Sequence, residues 1–322
     1  MPDRAIVTGG AGFIGSHVVD SLLAQRCAVT VIDDLSSGDP ARVAPSADLH
    51  ELDIVDKPAL DALIERVRPD AIYHLAAQSS VVVSVKNPTL DCAVNVQGTL
   101  NVLEAANRLG VSVVFTSTGG ALYGDDAPLP TPEERIPAPL APYGASKWAA
   151  EAYVNTWSLS SGIPHAVCRL GNVYGPRQSP HGEAGVVSIF THHLHTRKRP
   201  KLFGHGKPTR DYVYVSDVVS ALLAASGTRG TFNIATGVET DVLTVWQELQ
   251  RAARTNARCA ADSAPVVDIN PELADLRPGE LERSCLDTAK AARELGWHAE
   301  VALSDGLQLT YRALVDEFDR SK

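Results

Sequence analysis

The sequence predicts a doubly wound α/β fold, in which a parallel sheet carries helices on both faces and a smaller C-terminal α/β part binds substrate. Three observations point there. Short apolar runs bounded by turn residues recur through the first half, amphipathic stretches separate them, and a loop with regularly spaced glycines joins the first run to the first amphipathic stretch.

The apolar runs cover residues 5–7, 29–32, 71–75, 111–115 and 166–170, and a further strand ends near Asp53 and Ile54. Their continuous apolar character suits strands covered on both faces. Helical periodicity fills residues 15–25, 58–67, 88–109 and 143–161. Beyond residue 171 the alternation gives way to loops rich in Pro, Gly and His, with separate helical pieces at 186–196, 218–225, 242–254 and 304–318. The expected division is a cofactor-binding domain over residues 1–175, with parts of 205–240 returning to it, and a mainly substrate-binding domain over 176–322.

Composition narrows the function. The 322 residues are 44% hydrophobic and 21% charged, enough apolar material for a large core. A net charge of -9 argues against binding to a nucleic-acid backbone, which calls for a basic excess. No apolar run reaches membrane-spanning length, and the first residues lead into a strand pattern rather than a signal peptide. Five widely spaced cysteines without metal-ligand spacing suggest reduced thiols and a cytoplasmic location.

Gly9, Gly12 and Gly15 in TGGAGFIG lie between the first strand and the first helix. That arrangement lets a pyrophosphate approach the backbone and meet the free N–H groups of a helix N-terminus. Asp33 closes the second strand, 18 residues beyond Gly15. A carboxylate there accepts hydrogen bonds from adenosine ribose hydroxyls and repels a 2′-phosphate, so NAD is expected rather than NADP. Asp53 and Ile54 are candidates for the adenine edge, although an aspartate at a strand end also serves as a turn residue.

Tyr143 and Lys147 in YGASK sit four residues apart, on one face of a helix opening after Pro142. A nearby cation favours phenolate, so the pair suits proton exchange with a substrate alcohol. Such a pair is also an ordinary surface contact. Its context is the strand ending in Thr116, Ser117 and Thr118, whose carboxyl end faces the cofactor crevice of a doubly wound sheet.

TGGAGFIG, HLAAQ (residues 74–78), STGGALYG (117–124), YGASK, GNVYGPRQ (171–178) and RDYVYVSDV (210–218) occur in this order. Together they resemble the extended short-chain dehydrogenases/reductases of Rossmann type, most closely the UDP-glucose 4-epimerases. The resemblance runs from about Ala5 to about Trp297. It implies that Thr118, Tyr143 and Lys147 act together, and it adds Phe13, Ile14, Ala76, Ala77, Gln78 and Asn95 to the cofactor set. For a UDP-sugar it implies Asn172, Phe203 against the uracil, Arg210 and Arg277 at the diphosphate, and Glu280 near a ribose. Ser284 in ERSCLD falls where some epimerases carry tyrosine, and its small size leaves room for an N-acetyl group.

The implied reaction takes the proton of the sugar 4-hydroxyl onto Tyr143 and the C4 hydride onto NAD, turns the 4-ketose over in the site, and returns the hydride to the other face. A dehydratase shares the first step. Dehydratases of the 4,6 type usually carry an Asp-Glu pair after the threonine, where this chain has Gly119 and Gly120, which favours epimerisation; elimination through another acid such as Glu183 stays open. A non-catalytic NAD-sensing protein is a third reading, one that has no need of the tyrosine and lysine. His192, His193 and His195 ahead of Arg197, Lys198 and Arg199 read as a solvated basic helix end rather than a metal site. Apolar positions along 94–109 and 148–157 suggest a homodimer.

Overall fold

The computed structural model describes residues 2–180, 185–259, 269–276 and 281–320. Elements run β1 (Arg4–Thr8), α1 (Phe13–Ala24), β2 (Ala28–Asp33), β3 (Asp48–Glu51), α2 (Lys57–Val67), β4 (Ala71–His74), α3 (Val81–Lys86) and α4 (Pro88–Cys92). A π-helical turn, Ala93–Gly98, leads into α5 (Thr99–Leu109), β5 (Ser112–Thr118), α6 (Pro142–Ser161), β6 (Ala166–Leu170) and β7 (Asn172–Tyr174). The remainder comprises α7 (Val186–His195), β8 (Lys201–Leu202), β9 (Thr209–Tyr214), α8 (Val215–Ala224), β10 (Gly230–Ile234), β11 (Glu239–Asp241), α9 (Val242–Cys259), β12 (Glu272–Leu273), α10 (Ala289–Leu295) and α11 (Leu303–Arg320).

Seven parallel strands form the main sheet in the order β10-β6-β5-β4-β1-β2-β3. Alternation along each strand sorts the core into two layers. Ala5, Val7, Val29, Val31, Val114 and Cys168 pack on one face; Ile6, Ile32, Ile72, Val113, Phe115 and Val167 pack on the other. Burial on both sides explains why these strands read as unbroken apolar runs. β1 and β4 are neighbours, and successive strands run outward from them in opposite directions. This is the switch point where an open parallel sheet leaves a crevice beyond its carboxyl ends.

A three-stranded sheet, β11-β9-β7, and a two-stranded one, β12-β8, lie outside the main sheet. The single helix expected over 88–109 is instead α4, the π turn and α5 in succession. The short helices α3 and α10 and the seventh strand β10 have no counterpart among the expected elements.

Candidate active site

The site is built where the loops after β1, β4 and β5 meet the start of α6. Gly9 adopts φ +71, and a Cβ there would stand 2.6 Å from the Ala76 nitrogen, so the first loop and the 74–78 segment pack backbone to backbone. A Cβ on Gly15 would come closer still to the Gly9 carbonyl. The N-terminus of α1, beginning at Phe13 and Ile14 after Gly12, has no side-chain cap. Asp33 is buried; its Oδ2 accepts from Ala11 N at 2.9 Å and its Oδ1 from Leu35 N at 3.0 Å. Burial raises its carboxyl while those two hydrogen bonds pull the other way. Open helix N–H groups beside a strand-end carboxylate with spare lone pairs fit a dinucleotide.

Asp53 lies past β3, exposed, with Oδ1 accepting from Val55 N at 2.9 Å, a turn-forming contact. Ile54 is buried in the core and its carbonyl accepts from Asn101 Nδ2 at 3.0 Å. Ala76 and Ala77 are half-buried beside the first loop, and Ala76 N donates to Thr8 Oγ1 at 3.2 Å. Gln78 N donates to Asn95 Oδ1 at 2.9 Å, and Asn95 Nδ2 reaches Ser146 Oγ at 3.0 Å between Tyr143 and Lys147. Asn95 belongs to the π turn, an irregularity that turns this side chain toward α6.

Helix α6 opens at Pro142, a residue suited to the first helical position. Tyr143 is half-buried and hydrogen-bonded to the Thr118 hydroxyl at the end of β5. Lys147 is 3% exposed, with Nζ 4.3 Å from the centre of the Phe115 ring. The structure therefore brings Thr118, Tyr143 and Lys147 together. Their electrostatics differ from the expectation. Burial, reinforced by the Asp91 carboxylate, pushes the Tyr143 phenol up to about 12, against the pull of the Thr118 hydrogen bond. Desolvation also pulls Lys147 down to about 8, opposed by Glu151 and Asp91. Spacing of four residues does not by itself bring the phenol toward neutrality, because desolvation by burial is the dominant influence on it.

Around the opposite wall, Asn172 lies on β7, in register with Tyr212, and its Oδ1 would stand 3.2 Å from a Cβ at Gly120. A side chain at Gly119 would run into Leu286. Phe203 is half-buried after β8, with Lys201 Nζ 5.8 Å from its ring centre. Arg210 on β9 donates to Thr209 O at 2.8 Å, and Ser284, buried, donates from its backbone N to the same carbonyl at 3.2 Å. Arg277, Glu280 and Glu183 lie outside the described residues.

Three groups near the pair went unread in the sequence. His74 is fully buried between Thr8 Oγ1 at 2.7 Å and Thr99 Oγ1 at 3.0 Å, and burial pulls it down to about 3. Glu151 and Arg169 form a buried pair with Arg169 Nη2 2.6 Å from Glu151 Oε2. Asp91 accepts from Gln78 and Asn95. The spacing of Asp91 and Glu151, four residues from Asn95 and Lys147, was the available signal. At the end of α7 Arg197, Lys198 and Arg199 are exposed, whereas the rings of His192 and His195 pack on Phe318 and His195 Nε2 lies 3.5 Å from Asp319. Among the described residues no group of three or more His, Cys, Asp or Glu side chains could hold a metal, and no helix is long and apolar enough to cross a membrane.

A parallel doubly wound sheet with a tyrosine and lysine on one helix, facing a strand-end threonine, defines the short-chain dehydrogenase/reductase type. The chain belongs to the family described as GDP-mannose 4,6 dehydratase, whose profile matches residues 6–310. Within it, the chain is 44% identical to a UDP-glucose 4-epimerase of Mycolicibacterium smegmatis over 99% of both chains. A Thermotoga maritima UDP-glucose 4-epimerase solved with UDP-glucose superposes with a TM-score of 0.92 at 41% identity, covering 98% of this chain and 99% of that one. A Thermus thermophilus UDP-glucose 4-epimerase in complex with NAD gives 0.86 at 39% identity, covering 97% and 98%.

Proposed function

We propose that the protein is an NAD-dependent UDP-sugar 4-epimerase. One observation carries this reading: Thr118, Tyr143 and the buried Lys147 converge beyond the carboxyl end of the sheet, while the place of a dehydratase acid is filled by Gly119, packed on Leu286, and Gly120, facing Asn172. NAD would be held by the Gly9, Gly12 and Gly15 loop, by the N–H groups at Phe13 and Ile14, and by Asp33 at the adenosine ribose. Asp53, Ile54, Ala76, Ala77, Gln78 and Asn95 would line the rest of its path. When bound it supplies hydride acceptance and return at C4 of the sugar.

Tyr143 exchanges the proton of the sugar 4-hydroxyl at its phenol oxygen, and Thr118 holds that oxygen and the hydroxyl in line. Lys147, dry against Phe115, would hold positive charge near the phenol and donate toward the ribose of a bound cofactor. Asn172, Phe203 and Arg210, with Arg277 and Glu280, bind the nucleotide, the two guanidiniums pairing with phosphate oxygens. Ser284 sits where a small side chain admits a C2 acetamido group, so UDP-N-acetylglucosamine is accepted as well as UDP-glucose. The NAD-sensing reading leaves the buried lysine without a task, and a buried lysine carries a desolvation cost.

The enzyme pairs with a second copy through α3, α4 and α6. Val82 (47% exposed), Val85 (62%), Leu90 (44%), Trp148 (40%) and Tyr153 (40%) lie on these adjoining helices, whereas α5 turns most of its apolar side chains inward. Of the two apolar stretches expected at 94–109 and 148–157, the second contributes Trp148 and Tyr153 to this face. The unpaired thiols of Cys27, Cys92, Cys168 and Cys285 accord with a reducing cytoplasm.

Incubation of the purified protein with UDP-glucose, UDP-N-acetylglucosamine and thymidine-diphosphate glucose in deuterated water, followed by NMR, tests the reaction. The expected products are 4-epimers with no deuterium at C5. Solvent deuterium at C5, or a dehydrated sugar, would instead show elimination. Retained NAD with no conversion would revive the sensor.

A further inference from the structure

Asp91 has no role in the mechanism above, yet its carboxylate is 1% exposed in the first turn of α4. Oδ1 accepts from Gln78 Nε2 at 2.8 Å and from Asn95 Nδ2 at 3.1 Å. Among the described residues no lysine, arginine or histidine forms an ion pair with it. Burying a carboxylate without a cationic partner is costly, and two amides satisfy its lone pairs without cancelling its charge.

Those amides frame the tyrosine. Asn95 Oδ1 accepts from Gln78 N at 2.9 Å, which fixes the orientation of the amide and leaves Nδ2 to reach Ser146 Oγ at 3.0 Å. The Ser146 hydroxyl in turn donates to the Tyr143 carbonyl at 3.0 Å. One carboxylate thus ties the segment after β4, the π turn and the first turn of α6 into a single register.

We propose that Asp91 is a positioning residue for Tyr143 and Lys147, acting through Asn95 and Ser146 and, by its uncancelled charge, setting the pH window in which the pair works.

Of the groups facing the pair, Glu151 comes from α6, bound by Arg169 of β6 at 2.6 Å. From β4 comes His74, which burial holds neutral. β5 presents the Phe115 ring, and α4 presents Asp91. Its negative charge raises both Tyr143 and Lys147. A phenol that accepts a proton must first lose its own, and the lysine must keep its proton. Removing the charge therefore shifts both limbs of the bell-shaped kcat profile toward lower pH. A contact with only a structural role would lower the amplitude and leave the limbs in place.

This inference rests on Tyr143 being the acid-base of the proposed reaction. Its test is Asp91→Asn, which keeps shape and an acceptor oxygen, in the NAD-containing enzyme. Both limbs are expected to fall by about one pH unit, with KM little changed. Ultraviolet titration of the Tyr143 phenol, taken as the difference from Tyr143→Phe without substrate, is expected to show the same downward shift. That titration needs no turnover, so it separates failure of the Asp91 assignment from failure of the epimerase reading. Asp91→Ala, which also removes the acceptor, is expected to add a loss of about tenfold in kcat. Should the Asp91 variants fold poorly, Ser146→Ala tests the hydrogen-bond path, lowering kcat with the limbs unmoved. Unmoved limbs and phenol midpoint in folded Asp91→Asn, or full kcat in Ser146→Ala, would overturn the proposal.

Discussion

In the proposed reaction Tyr143 would carry the chemistry at one oxygen atom, and its surroundings make proton loss harder than in water. Under the proposed mechanism, phenolate formation would depend on positive charge placed near the phenol, which Lys147 and a bound nicotinamide would supply. Tyr143→Phe removes the proton-carrying atom and little else. Turnover is expected to drop by about a thousandfold with NAD still bound, measured by coupled assay and by cofactor content after gel filtration. Ser284 offers a contrast, since its proposed effect would be steric. Ser284→Tyr is expected to cut conversion of UDP-N-acetylglucosamine by at least about tenfold while sparing UDP-glucose; equal loss on both substrates would count against a role in admitting the acetamido group. The tyrosine and lysine were legible in the sequence because motif and spacing lie within five residues. Desolvation was not, because it depends on what packs around the phenol from β5 and α4.

At the scale of elements, α6 does two jobs. Its first two turns present Tyr143 and Lys147, and the third anchors the helix through Glu151 to Arg169 on β6. Arg169 also donates to Tyr123 Oη at 2.6 Å and to Glu133 O at 3.0 Å, so the long segment between β5 and α6 is tied to the same guanidinium. Glu151→Ala would strand a buried cation and is expected to cost about 3–5 kcal/mol of stability by urea unfolding. Removing an exposed pair such as Lys201 and Glu272, 3.1 Å apart, should cost about 1 kcal/mol or less. Strands covered on both faces announced themselves as apolar runs. The break in the helix over 88–109 did not, since a π turn changes hydrogen bonding without changing the apolar pattern. β10, reading GTFNI, is short and begins with glycine, so its place in the sheet follows from pairing with β6 rather than from its own pattern.

For the whole molecule, two buried histidines shape stability against pH. Burial lowers His74 to about 3 and His165 to about 4. Each folded value lies below the unfolded one, so the unfolded chain binds more protons once pH falls below about 6.5. Their contribution is complete above that pH and is lost progressively toward the folded values. Between pH 7 and 5 each should cost about 2 kcal/mol, and His165→Asn should shrink that fall by its share in denaturant titrations. Asp33 and Glu133, both raised by burial, act in the opposite direction at the acid end. If the proposed dimer forms on this face, Val85→Glu combined with Trp148→Glu is expected to halve the mass found by light scattering; an unchanged mass would count against that dimer contact.

The strand order also bears on how the chain is made. β6 receives its outer neighbour only when residues 230–234 arrive, some way after β6 itself at Ala166–Leu170. During synthesis, the nascent sheet therefore waits with one flank of unpaired backbone N–H and C=O groups. A fragment ending at residue 175 should aggregate, and one extended to residue 240 should stay in solution, as sedimentation of the two would show.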